Sequence, residues 1–250
     1  MLFGRLLKAC LISMLCVGLF TPFVFVQAST YPLQTKYPDI MIYKANTKQK
    51  VIALTFDDGP DRRFTPQVLD VLNKHRVKAT FFLLGTRVHE YPDVAKRIHN
   101  EGHVLGNHTY WHPQLTNSSV NNMLWEIEKN EKEIKSATNF ETKLFRAPYG
   151  ALNDNLVKEL GELGYLGVGW SIDTEDWKSL SSKEIKQNIL NNVHPGAIIL
   201  MHSAGHWTQD LSGTAKALDE IIPYLKKQGY EFLTIPEIFK YNMHAPEEMK

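Results

Sequence analysis

Asp57 and Asp58 stand side by side at the end of a short apolar run, Val51-Ile52-Ala53-Leu54-Thr55-Phe56, and Gly59-Pro60 follows at once. Uninterrupted apolar residues suit a strand buried on both faces. Glycine and proline then end it, because glycine permits unusual backbone angles and proline offers no ladder donor. Two carboxylates are thereby delivered to one strand end. Successive strand side chains point to opposite faces, so the two neighbours are expected to hold different jobs. Asp-Asp-Gly-Pro is also ordinary turn composition, in which aspartates cap the backbone.

Two pairs of histidines follow other apolar runs. His108 and His112 come after residues 103–107, and four-residue spacing on a helical turn would put both on one face. That is ligand spacing for Zn²⁺, and one added carboxylate would give a His-His-Asp site with positions open to water and substrate. His202 and His206 have the same spacing after residues 197–201. Gly205 makes a regular turn there less favourable, so the spacing favours His108 and His112 without excluding the second pair. In isolation either pair reads as capping histidines on a surface turn. His75, His89, His99, His103, His194 and His244 read as surface or helix-flanking residues.

Three further residue groups suit the same chemistry. Arg146, at the end of residues 143–146, offers a guanidinium fork for a carboxylate, and Pro148 stiffens the turn that presents Tyr149. Asp173 and Asp176 follow residues 166–170, where an acid could hold a histidine protonated as a general acid. Trp177 beside them offers an indole face for the apolar side of a pyranose ring.

Seven strand-like runs carry these groups: residues 51–56, 79–84, 103–107, 143–146, 166–170, 197–201 and 230–234. Amphipathic stretches at 66–75, 94–101, 120–136, 153–163, 182–192 and 214–228 separate them, with Ser181 or Ser182 placed to cap one helix. Strands alternating with helices predict an α/β fold with a parallel sheet, either a barrel or an open doubly wound sheet. The candidate residues all follow strands at their C-terminal ends, the end that carries active sites in both architectures.

The 250 residues suffice for one full core. Residues 1–28 read as a secretory signal peptide, with Arg5 and Lys8 ahead of an apolar stretch and Val26-Gln27-Ala28 as a cleavage site. An uncleaved N-terminal membrane anchor is the alternative. Residues 29–49 read as an extension, 50–240 as the catalytic domain and 241–250 as a tail. Both cysteines, Cys10 and Cys16, fall in the signal segment, so the remainder must rely on packing and any metal site on His, Asp or Glu. Without Arg5 and Lys8 the chain carries 26 basic and 27 acidic side chains, a balance that gives nucleic-acid binding no support.

Taken together, Thr55-Phe56-Asp57-Asp58-Gly59, His108-Thr109-Tyr110-Trp111-His112, Arg146-Ala147-Pro148-Tyr149, Asp173-Thr174-Glu175-Asp176-Trp177 and Leu200-Met201-His202 resemble the motifs of the polysaccharide deacetylases that share the NodB homology domain, carbohydrate esterase family 4. All five occur in the family's order, over roughly residues 50–239. The resemblance implies a distorted seven-stranded (β/α) barrel and a polysaccharide substrate, peptidoglycan or a chitin-like oligomer, with no protein partner and a monomeric chain. It implies one divalent ion on Asp58, His108 and His112, with Zn²⁺ first and Co²⁺, Mn²⁺ or Ni²⁺ as alternatives. It further implies Asp57 as general base oriented by Arg146, His202 as general acid supported by Asp173 or Asp176, and the Tyr149 N–H at the oxyanion. Trp177 and Leu200 would contact the sugar. Asp58 stands where a muramic-acid-directed branch of the family has asparagine. A glycoside hydrolase with paired carboxylates, or a carbohydrate-binding protein without turnover, are the rival readings.

Overall fold

Residues 51–57 form the strand on which the sheet is centred, and every one of them is buried. In the computed structural model, which describes residues 31–243, this strand has neighbours on both edges. In chain order the helices and strands are α1 (Pro32–Lys36), β1 (Met41–Ile42), β2 (Val51–Asp57), α2 (Thr65–Lys74), β3 (Thr80–Leu83), α3 (Gly85–Glu90), α4 (Pro92–Asn100), β4 (Val104–Asn107) and α5 (Val120–Thr138). They continue as β5 (Leu144–Phe145), α6 (Asp154–Glu162), β6 (Leu166–Val168), β7 (Ile172–Asp173), α7 (Ser182–Asn192), β8 (Ala197–His202), α8 (Ser212–Lys227), β9 (Glu231–Phe232) and α9 (Ile235–Met243). The sheet order is β1-β6-β5-β4-β3-β2-β8-β7, with β9 also pairing β2.

Every strand pair between these elements is parallel. Beyond β1 the chain reaches back to β8: Lys44 bridges Ala197, and the Ala45 N–H donates to the Gly196 carbonyl at 2.9 Å. A Cβ on Gly196 would sit 2.2 Å from the Ala45 oxygen, so only glycine lets the two segments close up. The sheet therefore curls into a distorted barrel flanked by helices, the architecture the sequence predicts.

All seven expected strands are present, and two more, β1 and β7, join them. The N-terminal extension itself takes part in the sheet, since Met41 and Ile42 are fully buried and pair with β6. Side chains of β2 divide by alternation. Ile52, Leu54 and Phe56 pack with α2, α7 and α8 residues such as Leu69, Ile189 and Leu218, while Val51 and Ala53 join a separate inner cluster with Phe82 and Ile198. Thr55 and Asp57 continue that inner row, so the barrel interior turns polar just below its mouth. Six residues pair β2 with β8, from Ile52 opposite Ala197 to Asp57 opposite His202. That register fixes Asp57 and His202 as cross-strand neighbours, on strands about 4.8 Å apart.

Helix α7 begins where its capping signal predicts, with Ser181 and Glu184 exchanging bonds in a capping box. The expected signal peptide and most of the expected tail lie outside the described residues. Among those residues no helix is long and apolar enough to cross a membrane.

Candidate active site

Arg146 is a buried cation in the barrel interior, only 1% exposed. Its Nη1 donates to Asp57 Oδ1 at 2.7 Å and Thr55 Oγ1 at 2.9 Å. Nε and Nη2 donate to the Val168 and Gly169 carbonyls at 3.1 and 3.0 Å. Phe82 lies under the guanidinium at 4.2 Å and Trp170 flanks it at 5.6 Å. Burial depresses the arginine's pKa and the Asp57 charge opposes that shift. Such saturation is what a buried charge requires. The consequence for Asp57 is that one carboxylate oxygen is held while the other, Oδ2, looks toward His108 Nε2 at 3.7 Å.

Asp58 reaches the same space by leaving the strand. Its φ of 67° turns the chain, so that neighbouring carboxylates expected on opposite faces both line one cavity. His108 and His112 meet it there, with His108 Nε2 at 3.6 Å and His112 Nε2 at 3.4 Å from Asp58 Oδ1. The predicted helical turn between the histidines is absent. Thr109 and His112 both take positive φ, 69° and 66°, and the loop rather than a helix brings the rings to 5.0 Å. The reason lies in Asn107, whose Oδ1 accepts the Thr109 N–H at 2.9 Å and competes with helical bonding.

These three side chains fit a divalent cation on their own chemistry. One ligand atom from each lies within 4.8 Å of the others, and Asp58 Oδ1 is buried without a hydrogen-bond partner. The Arg146 carbonyl lies 2.8 Å from His108 Nδ1, which places the proton there and leaves Nε2 a lone pair toward the site. Burial, then the neighbouring His108, pushes the His112 pKa down to about 4, so the His112 ring is neutral at physiological pH. The other spaced pair does not converge: His206 is exposed and its Nδ1 meets Thr208 Oγ1 at 2.8 Å.

His202 is instead held by Asp176. Its Nδ1 lies 2.7 Å from Asp176 Oδ1, while the other carboxylate oxygen accepts the His202 N–H at 2.9 Å and the Thr214 hydroxyl at 2.7 Å. Of the two acids left open by the sequence, Asp176 touches the histidine; Asp173 accepts the Glu175 N–H and lines the cavity. Burial disfavours a charged His202, but Asp176, with Asp58 and Asp57 beyond it, outweighs burial and raises the pKa to about 9. Protonated His202 is therefore stabilising fully below the unfolded value of about 6.5, and that contribution is lost as pH rises through about 9. Asp176→Asn removes the largest of the groups that raise it against burial, so His202 should titrate well below its wild-type value. At pH 8 turnover should fall about tenfold or more and recover on acidification. An unshifted alkaline limb in the pH–rate profile would remove Asp176 from this role.

A cavity of about 400 Å³ joins these groups, and Tyr149, Asp173, Trp177 and Leu200 line it. Tyr149 sits at φ 61° with its ring edge-on to His112 at 4.6 Å. Gly150, at φ 63°, follows it, and a Cβ there would lie 2.8 Å from the Trp170 indole. Trp170 and Gln209 also line the cavity and were not singled out in the sequence. Gln209 belongs to no spaced pattern; Trp170 sits at the end of an expected strand, where an indole reads as packing.

Glu126 is the other residue that spacing does not reveal. It is buried on α5, and its Oε2 accepts the N–H groups of Tyr110 and Trp111, both at 2.8 Å. It thus braces the loop midway between His108 and His112. Glu126→Ala should weaken divalent-ion affinity by about 10- to 100-fold, the usual cost of losing an outer partner of a ligand. Calorimetric metal titration, with a thermal melt as control for folding, measures it. One expectation needs correction: His103 is buried rather than superficial, edge-on to Phe81, and burial pushes its pKa to about 4.

The polysaccharide deacetylase family pattern matches residues 44–168 of the chain. A peptidoglycan-N-acetylglucosamine deacetylase of Bacillus cereus is 43% identical over 89% of this chain and 77% of its own length. The peptidoglycan-N-acetylmuramic acid deacetylase PdaA of Bacillus subtilis is 40% identical, over 82% of this chain and 77% of that protein. The chain spans only 42% of other, longer relatives. A crystal structure of a peptidoglycan N-acetylglucosamine deacetylase in complex with 4-naphthalen-1-yl-N-oxidanyl-benzamide superposes with a TM-score of 0.80, at 42% identity, covering 85% of this chain and 97% of that one. The chain belongs to the polysaccharide deacetylase family, carbohydrate esterase family 4, whose members share the NodB homology domain.

Proposed function

We propose that this protein is a secreted, metal-dependent N-deacetylase that hydrolyses the acetamide of N-acetylglucosamine residues in cell-wall peptidoglycan, releasing acetate and leaving free amines. The observation that carries the reading is the convergence of Asp58, His108 and His112 beside the Arg146-held Asp57, with His202 in register on the next strand. A divalent ion bound by the three ligands, Zn²⁺ before Co²⁺, Mn²⁺ or Ni²⁺, would supply Lewis acidity, lowering the pKa of a water and polarising the acetyl carbonyl.

The chain's own groups do the rest. Asp57 Oδ2, with Oδ1 fixed by Arg146, takes the proton of the attacking water. The Tyr149 N–H supports the oxygen that gains charge. His202, charged because Asp176 holds Nδ1–H, gives its Nε2 proton to the departing amine as the C–N bond breaks. Leu200 and Trp177 form apolar walls against the acetyl group and the sugar ring. Both carboxylates lie against the same imidazole nitrogen, an arrangement that favours a ligand-plus-base division over the flanking acid pair of a glycoside hydrolase.

N-acetylglucosamine is the reading supported by Asp58, since an asparagine there marks the resemblance to the muramic-acid branch. The apolar, basic-flanked residues 1–28 support export as a secreted or wall-associated protein, where that substrate lies. Mass spectrometry of peptidoglycan fragments and chitin oligomers after incubation tests the reading. The expected result is a loss of about 42 Da per acetyl group removed, on N-acetylglucosamine, with no new reducing ends. Cleavage of the chain without acetate would favour the glycosidase, and activity confined to chitin oligomers would move the substrate.

A further inference from the structure

Three indole rings stand exposed outside the cavity, in two groups. On one side Trp111, 65% exposed, lies in the loop after β4 between His108 and His112, and Trp125, 49% exposed, projects from the second turn of α5. The Tyr110 ring stands edge-on to both, at 5.1 and 5.7 Å. On the other side Trp207, 79% exposed, lies in the loop after β8. In the sheet β4 is two strands from β2 in one direction and β8 is its neighbour in the other. The two groups therefore bracket Asp57 and Asp58.

Single exposed apolar residues are ordinary, but these are rings whose backbone is fastened while the indole is left in water. Arg63 donates to the carbonyls of Trp207, His206 and Gly205 at 3.1, 3.2 and 3.3 Å, and Arg87 donates to Gly205 at 2.7 Å. Gln209 then ties this loop to the cavity, accepting the His206 N–H at 2.5 Å and donating to the Trp177 carbonyl at 2.7 Å. On the opposite rim Glu126 holds the Trp111 N–H. A ring whose backbone is already ordered loses less freedom when a ligand covers it.

A cavity of about 400 Å³ suits one acetylated sugar, so the neighbouring rings of a glycan strand must lie on whatever flanks its mouth. The geometry points to Trp125 with Trp111 on one rim, and Trp207 on the other, as platforms for the pyranose rings on either side of the reacting residue. The enzyme then grips an extended strand and works on internal residues rather than on monosaccharides or short ends. This rests on the glycan deacetylase reading, and deepens it.

The experiment uses Trp125→Ala, Trp207→Ala and the double variant with chitin dimer, tetramer and hexamer as probes. Binding is measured by calorimetry and turnover by acetate release. Wild type should bind and turn over the hexamer far better than the dimer, each single substitution should cost about five- to tenfold on the hexamer, and the dimer, whose one flanking ring can shift to the remaining platform, should lose little to either single substitution and more to the double variant. Equal losses at every length, or none at any length, overturn the platforms, as does a wild type that binds hexamer no better than dimer. Tight hexamer binding without acetate release from any oligomer or from peptidoglycan keeps the platforms and sinks the deacetylase reading instead.

Discussion

Asp57→Asn should reduce turnover by about 10²- to 10⁴-fold while leaving one divalent ion bound per chain. The amide preserves shape and one acceptor, but it cannot take up the proton of the attacking water. Metal content should survive because Asp58, His108 and His112 form the candidate ligand set and Asp57 lies outside it. The substitution has a second consequence. Arg146 is buried and loses the carboxylate that pairs with it, although Thr55 and two carbonyls still accept from it. Removing one member of a buried pair costs about 3–5 kcal/mol, so a lower melting temperature is expected alongside the kinetic loss. Metal analysis and kinetics on the folded fraction separate the two effects. Wild-type turnover in Asp57→Asn would take Asp57 out of the mechanism.

His108→Ala should lose both the ion and the activity. Its ring turns Nε2 to the site while Nδ1 is pinned to the Arg146 carbonyl, so alanine there removes a ligand held in place for the ion. His112→Ala should weaken the ion as well, whereas His206→Ala should leave metal content unchanged, because His206 pairs with Thr208 away from the ligand set. Together these variants separate the two equally spaced histidine pairs. Equilibrium dialysis against Zn²⁺ reads all three. If His206→Ala strips the ion while His112→Ala does not, the ligand assignment fails.

The strands and helices that repeat a hydrophobic period were legible in the sequence, and so was the end of the barrel that carries the chemistry. The capping box of α7 follows the same local logic. Strands β1 and β7 were not: two residues show no period, and neither lies within a longer strand-like run as the equally short β5 and β9 do. Asp57 facing His202 is a matter of register between strands 145 positions apart, which no local pattern encodes. The histidine spacing pointed to the pair that the structure brings beside Asp58, but through the wrong geometry, because Asn107 turns the loop out of a helix. Glu126 and Gln209 act through hydrogen bonds to backbone distant in sequence, and a lone polar side chain gives no sign of that. Asp176 over Asp173 was decided by where the short helical turn after β7 places each carboxylate.

The assignment of Asp58, His108 and His112 as ligands rests on where the ion sits, which anomalous X-ray diffraction at the zinc edge locates in crystals equilibrated with Zn²⁺. One dominant peak is expected, bonded to Asp58, His108 Nε2 and His112 Nε2, with Zn–N distances of about 2.0–2.1 Å. A dominant peak at His202 and His206, or no peak among the three ligands at saturating Zn²⁺, would contradict it.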